Sequence, residues 1–170
     1  SSAAFFLVAA SIVPGSDLTL SHVGINPTRV GVLEILKLMG ADIEVANARE
    51  IGGEPVADLR VRYAPLRGID VPRAMVPLAI DEFPVLFIAA CCAAGETLVT
   101  GAEELRVKES DRIQSMVDGL KALGASIEGT PDGAVIRGGG PEFRFESGTV
   151  EAHEDHRIAM AFSVAGLLCQ

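Results

Sequence analysis

Met39-Gly40-Ala41-Asp42-Ile43-Glu44 and Leu123-Gly124-Ala125-Ser126-Ile127-Glu128 are one hexapeptide pattern written twice, 84 residues apart. In both, an apolar residue followed by Gly closes a stretch with helical periodicity, the signal of a helix C-terminus. The stretch before the first carries apolar residues at Val30, Leu33, Leu36 and Leu38; the stretch before the second carries them at Ile113, Met116, Val117, Leu120 and Leu123. Further upstream, Ala3-Ala-Phe-Phe-Leu-Val-Ala-Ala10 is matched by Phe83-Pro-Val-Leu-Phe-Ile-Ala-Ala90, and Gly15 by Gly95, at an offset of 80. Strand patterns follow at residues 17–23 and 96–101, and last strands at 58–63 and 134–137. The offset grows from 80 to 84, so the second copy holds four extra residues, in the loop that contains residues 103–112. Repeat-built folds place binding surface in such insertions.

Each unit therefore reads helix, strand, helix, strand, strand. The units run over about residues 1–66 and 80–146, and a third opens at 150–170 and stops within its first helix, residues 158–168. Alternating helices and strands define an α/β class (an α+β repeat), with each helix burying a stripe against a sheet. The expectation is a single, incomplete domain over residues 1–170, cut from a longer chain at both ends.

Composition narrows the function classes. The formal net charge is −9, from 23 acidic and 14 basic residues, which repels nucleic acid and anionic membrane surfaces. A mean hydropathy of +0.36 is high, yet the longest apolar segments, residues 3–13 and 84–94, are too short to span a bilayer. No basic stretch precedes an apolar one, so a signal peptide is not expected. Cys91, Cys92 and Cys169 lie in apolar surroundings without zinc-like spacing, which predicts buried, reduced thiols and a cytoplasmic protein. Residues 137–141 read as a Gly-rich loop, followed by Pro rather than by a helix that could receive phosphate.

Against this apolar background, Glu103-Glu-Leu-Arg-Val-Lys-Glu-Ser-Asp-Arg112 is dense in charge. Ser110 or Asp111 is the expected cap of the following helix, with Asp111-x-x-Gln114 as a capping box. Lys108 and Glu109 then sit just before the helix and Arg112 in its first turn. Arginine there opposes the helix dipole at about 0.3–1 kcal/mol, a local cost that an anion site would explain. Arg112 suits bidentate recognition of carboxylate or phosphate, and Lys108 acts as a point charge. Arg106 and Glu103 read as surface ion pairs of small worth. Similar clusters stand at Asp81-Glu82, where Asp81 reads as a helix cap that can also accept from a substrate hydroxyl, and at His153-Glu-Asp-His-Arg157. His153 and His156 with Asp155 lack a third ligand at suitable spacing, so no metal site is expected.

Arg106-Val-Lys-Glu-Ser-Asp-Arg112 and Asp155-His-Arg-Ile-Ala-Met160 resemble the two signature segments of the 5-enolpyruvylshikimate-3-phosphate synthase family. Ile80-Asp-Glu-Phe-Pro84 resembles the variant common among its bacterial members, and the likeness runs through essentially all 170 residues, Ser1-Ser-Ala-Ala-Phe-Phe6 included. The resemblance implies the enolpyruvyl transferase fold, an inside-out α/β barrel domain of βαβαββ units. It implies transfer of enolpyruvyl from phosphoenolpyruvate to the 5-hydroxyl of shikimate 3-phosphate, with release of phosphate and without a cofactor or metal. Carried over, Asp81 binds shikimate 3-phosphate and accepts a proton, Lys108 contacts shikimate 3-phosphate, and Glu109 exchanges a proton at the methylene carbon. Arg112 and Arg157 grip phosphoenolpyruvate, supported by Asp155 and His156. Glu104 stands where the family often has asparagine. The resemblance further implies an amino-terminal domain that supplies the other half of the site, a monomeric intact enzyme, and negligible turnover from these 170 residues alone. Two rivals remain: a related UDP-N-acetylglucosamine enolpyruvyl transferase, and a non-enzymatic repeat module that uses its charged loops for protein contacts.

Overall fold

The two hexapeptides close their helices by the same hydrogen bonds. In the computed structural model, which describes residues 2–26 and 30–170, α2 (Gly31–Leu38) ends with Ala41 N donating to Leu36 O at 2.9 Å and Gly40 N to Lys37 O at 3.0 Å. The second copy, α4 (Arg112–Ala122), ends with Ala125 N on Leu120 O at 2.9 Å and Gly124 N on Lys121 O at 3.1 Å. Gly40 and Gly124 have φ of +95° and +85°, the left-handed conformation that this cap demands and that glycine adopts at least cost. Ser1 of the amino-terminal motif lies outside the described residues, as do residues 27–29.

Around these caps the order α1 (Ala3–Ile12), β1 (Asp17–Gly24), α2, β2 (Asp42–Ile51), β3 (Glu54–Arg62) is repeated as α3 (Phe83–Cys92), β4 (Ala94–Val99), α4, β5 (Ser126–Thr130), β6 (Gly133–Gly139). α5 (His156–Ala165) follows. Each copy makes one sheet, ordered β1-β3-β2 and β4-β6-β5, with the last strand in the middle and antiparallel to both neighbours. Ile43 and Ile127, from the hexapeptides, register with Val61 and Ile136. Sheet contacts that the strand patterns did not indicate are parallel bridges from Arg67 to Ala94, Asp70 to Leu98 and Phe145 to Cys169.

The sheets face outward and α1, α3 and α5 pack together inside. α3 is apolar at every position, so it has no solvent face, and all ten of its residues are buried. Phe83 and Phe87 make an edge-to-face pair at 6.2 Å on its inner surface. Amphipathic α4 lies over this layer and touches α5 where Gly119 meets the ring of Phe162; a Cβ at Gly119 would stand 2.3 Å from that ring. The charged loops before α4 and α5 are thereby brought to one end of the helix layer.

Two expectations need correction here. The strand runs past residue 137, and residues 138 and 139 are not loop but the end of β6, where a Cβ at Gly138 would fall 1.9 Å from Ala93 O; glycine is required by close packing rather than by a turn. Cys91 and Cys92 are buried as expected, but Cys169 is exposed, because it follows the last helical turn, Gly166–Leu168, instead of lying inside it. Among the described residues no helix is long and apolar enough to cross a membrane.

Candidate functional site

The segments that start α3, α4 and α5 meet at one open cleft of about 260 Å³, lined by Asp81, Lys108, Glu109, Arg112, His156 and Arg157. Asp155 lies immediately behind it, buried. All seven residues singled out from the sequence thus come together, although up to 76 residues of chain separate them.

Arg112 is the centre of the arrangement. It is the first residue of α4, and its side chain is almost wholly buried against Asp155. Nε reaches Asp155 Oδ2 at 2.9 Å, Nη2 reaches Oδ1 at 3.3 Å, and Nη1 reaches Asp81 Oδ1 at 3.2 Å. Asp155 also receives Ser110 Oγ at 2.8 Å and the backbone N–H of Arg157 at 3.0 Å, so it caps α5 while it orients the guanidinium. Burial works against its charged form. The hydrogen bonds from Arg112 and Ser110 and the guanidinium charge outweigh burial and hold its carboxyl below the ordinary range. Residues His153 and Glu154, just ahead, have φ of +52° and +58°, a double left-handed bend that turns the chain into Asp155.

Asp81 does not cap α3. It sits in the 3₁₀ turn Pro77–Glu82, and Glu82 occupies the cap position without a side-chain capping bond. The reason is Pro84: with proline in the first turn, fewer backbone N–H groups there call for a partner. Asp81 Oδ1 instead faces two cations, Arg112 and Lys108, the latter with Nζ at 3.4 Å. Lys108 also meets Glu104 at 3.3 Å. Glu109, half-exposed, pairs with His156 Nδ1 at 3.2 Å. Of the two candidate caps of α4, Asp111 takes the role by accepting from Gln114 N at 3.0 Å, while Ser110 turns to Asp155. The capping box is half-made, since the Gln114 side chain donates to Asp118 at 2.8 Å.

Arg106 is no loose surface charge. Its partners are Asp111 and two backbone carbonyls of the β5–β6 turn, Thr130 O and Pro131 O. Ser110 and Arg106 were missed as parts of the assembly because their partners lie 45 and 24–25 residues away. Glu109, Asp155 and His156 offer ligand atoms within 4.8 Å of one another. A cation would find both Asp155 oxygens already taken by Arg112, and two further positive side chains, Lys108 and Arg157, lining the same cleft, so this donor set fits an anion site better than a metal.

Three cations around two accessible carboxylates can hold a polyanionic ligand and move protons beside it. The fold that carries this site, a layer of inner helices flanked by three-stranded sheets, is that of an enolpyruvyl transferase. At 17% identity and a TM-score of 0.69, the enolpyruvyl transferase NikO from Streptomyces tendae shares this fold over 98% of the chain and 36% of its own length. The family model of EPSP synthase (3-phosphoshikimate 1-carboxyvinyltransferase) matches residues 1–170, and the chain belongs to that family. It is 67% identical over 98% of its length to a 3-phosphoshikimate 1-carboxyvinyltransferase from Methylococcus capsulatus, and 64% identical over its whole length to one from Acidithiobacillus ferrooxidans. An EPSP synthase structure from Acinetobacter baumannii matches 99% of the chain with a TM-score of 0.96 and 57% identity, over 39% of its own length. The chain spans 37% and 38% of the length of those two curated relatives.

Proposed function

We propose that this chain carries one face of an active site that transfers the enolpyruvyl group of phosphoenolpyruvate to the 5-hydroxyl of shikimate 3-phosphate and releases phosphate. The observation that carries the proposal is the single cleft in which Lys108, Arg112 and Arg157 surround Asp81 and Glu109, in a protein whose net charge is −9. Arg112 and Arg157 hold the phosphoenolpyruvate anion, Arg112 with its orientation set by Asp155. Lys108 meets shikimate 3-phosphate. Asp81 accepts the proton of the attacking hydroxyl; its contacts to Lys108 and Arg112 fall on Oδ1, and Oδ2 takes no hydrogen bond from the described residues. Glu109 delivers a proton to the methylene carbon and, after carbon–oxygen bond formation, takes one back from the resulting methyl group as phosphate departs. His156, in contact with Glu109, orients that carboxyl group. Each acid–base role is worth about 10²–10⁴ in rate.

The partners are the two anionic metabolites and the remainder of a family-length enzyme, monomeric and cytoplasmic, which supplies the facing half of the site. The 170 residues alone are expected to turn over negligibly. The test is phosphate release by a family-length enzyme carrying this segment, with both substrates required. Asp81→Ala and Glu109→Gln are expected to lower kcat by about 10²–10⁴ with the fold retained. Full turnover in both variants would remove the catalytic reading and favour a protein-contact module. Turnover with UDP-N-acetylglucosamine in place of shikimate 3-phosphate would assign the chain to the rival transferase. Near-normal activity from residues 1–170 alone would overturn the half-site.

A further inference from the structure

Lys108 and Glu109 stand on a stretch with little apolar anchoring of its own. Val107, between them and the body, is 79% exposed, and Glu109 is exposed too. Of their side-chain partners, Glu104 and His156 are exposed and Asp81 is partly so. The backbone of residues 108 and 109, just past the 3₁₀ turn Glu103–Val107, is therefore placed by its two ends. At one end Ser110 is fastened to buried Asp155. At the other stands Arg106, directly after buried Leu105.

Arg106 uses all three guanidinium nitrogens. Nε donates to Pro131 O at 2.9 Å, Nη2 to Thr130 O, and Nη1 to Asp111 Oδ2 at 2.8 Å. The turn it grips is itself tied down: Asp132 accepts Gly101 N on Oδ2 at 2.9 Å, and its carbonyl accepts Ala102 N at 2.7 Å. The segment entering the loop, the β5–β6 turn and the cap of α4 are thus closed into one ring through a single side chain. A lysine in that place, with its charge on one nitrogen, could not span three acceptors set in a fork.

We propose that Arg106 is a positioning residue: it sets where Lys108 and Glu109 stand relative to Asp81. This rests on the transfer reaction proposed above. The effect is selective by construction, because the Arg112 guanidinium is held by Asp155 and Arg157 stands on α5, and none of the three bonds of Arg106 reaches either of them.

The experiment compares a family-length enzyme carrying this segment with its Arg106→Lys, Arg106→Ala, Asp111→Asn and Arg106→Ala/Asp111→Asn variants. For Arg106→Lys and Arg106→Ala, displacement of Glu109 and Lys108 by a fraction of an ångström to 1 Å is expected to lower kcat about 10–100-fold. KM for shikimate 3-phosphate is expected to rise about 3–10-fold while KM for phosphoenolpyruvate stays within about 2-fold, since only the first ligand meets the displaced lysine. Asp111→Asn keeps the helix cap but loses the charged partner, so a smaller fall in the same parameters is expected. The double variant should be no worse than Arg106→Ala, as two groups acting through one contact are not additive. Backbone amides 107–109 should exchange with solvent at least about 10-fold faster in Arg106→Lys while those of 115–120 keep their protection. Wild-type kinetics in Arg106→Lys, equal rises in both KM values, or unchanged exchange at 107–109 would overturn the proposal. If the unmodified enzyme fails to use this substrate pair, the reaction proposed above falls, and the exchange measurement still decides whether Arg106 holds the loop.

Discussion

Replacing Asp155 by Asn removes one charge and almost no volume, which isolates the buried ion pair at the centre of the site. Both partners are out of water, with side-chain exposures of 4% for Arg112 and 0% for Asp155. Removing one partner of a buried pair costs about 3–5 kcal/mol, chiefly because the other charge is left uncompensated. Here Arg112 keeps Nη1 on Asp81 at 3.2 Å, and asparagine still caps α5, so the lower end applies, about 3 kcal/mol. With a urea m-value of about 2 kcal/mol/M, the unfolding midpoint should fall by about 1.5 M. The deficit should also depend on pH with a defined sign. The folded-state pKa of Asp155 is depressed, so the stability from its charge is present above the unfolded value, about 3.9, and is lost as pH falls through the folded value. Urea unfolding followed by circular dichroism at neutral pH and again below about pH 4 tests both statements, the gap between protein and variant narrowing in acid. A midpoint shift under about 0.3 M at neutral pH, or a gap that widens in acid, would refute the reasoning.

Other perturbations read other parts of the fold. Gly119→Ala drives a methyl group into the ring of Phe162 and should destabilise by about 1–3 kcal/mol in the same assay, with a midpoint restored when Phe162→Leu is added. Thr97 in β4 has a buried hydroxyl without a hydrogen-bond partner among the described residues, so Thr97→Val should leave the fold intact and raise stability by up to about 1 kcal/mol. Under native conditions a thiol reagent should modify Cys169 quickly. Cys91 and Cys92 should react only on unfolding, since burial pushes both thiols up, Cys92 to about 12.

What the sequence disclosed was local in origin. The left-handed glycines after α2 and α4, the unbroken apolar run of α3 and the Asp111 cap all act within a few residues, and periodicity or a short motif exposes them. The three charged segments were likewise visible as interruptions of apolar sequence, although nothing within them states that they face one another. Features that depend on distant partners stayed hidden. Asp81 looks like a cap because the cations that occupy it arrive from 27 and 31 residues away. Arg106 looks like a surface charge because two of its acceptors are backbone carbonyls, which no side-chain pattern marks. Gly138 looks like a loop residue because the contact that forbids a side chain there comes from the end of α3. The parallel bridges of Arg67, Asp70 and Phe145 are too short to leave an alternating pattern.

Because every residue of α3 is enclosed, that helix cannot roll or slide without opening the core around it. Asp81, two residues ahead of its first turn, inherits that immobility, whereas Lys108 and Glu109 are hung between polar fastenings. The cleft therefore has a fixed jaw and a compliant one. Adjustment to a ligand will be borne by residues 107–109, and Asp81 will serve as the datum against which they move.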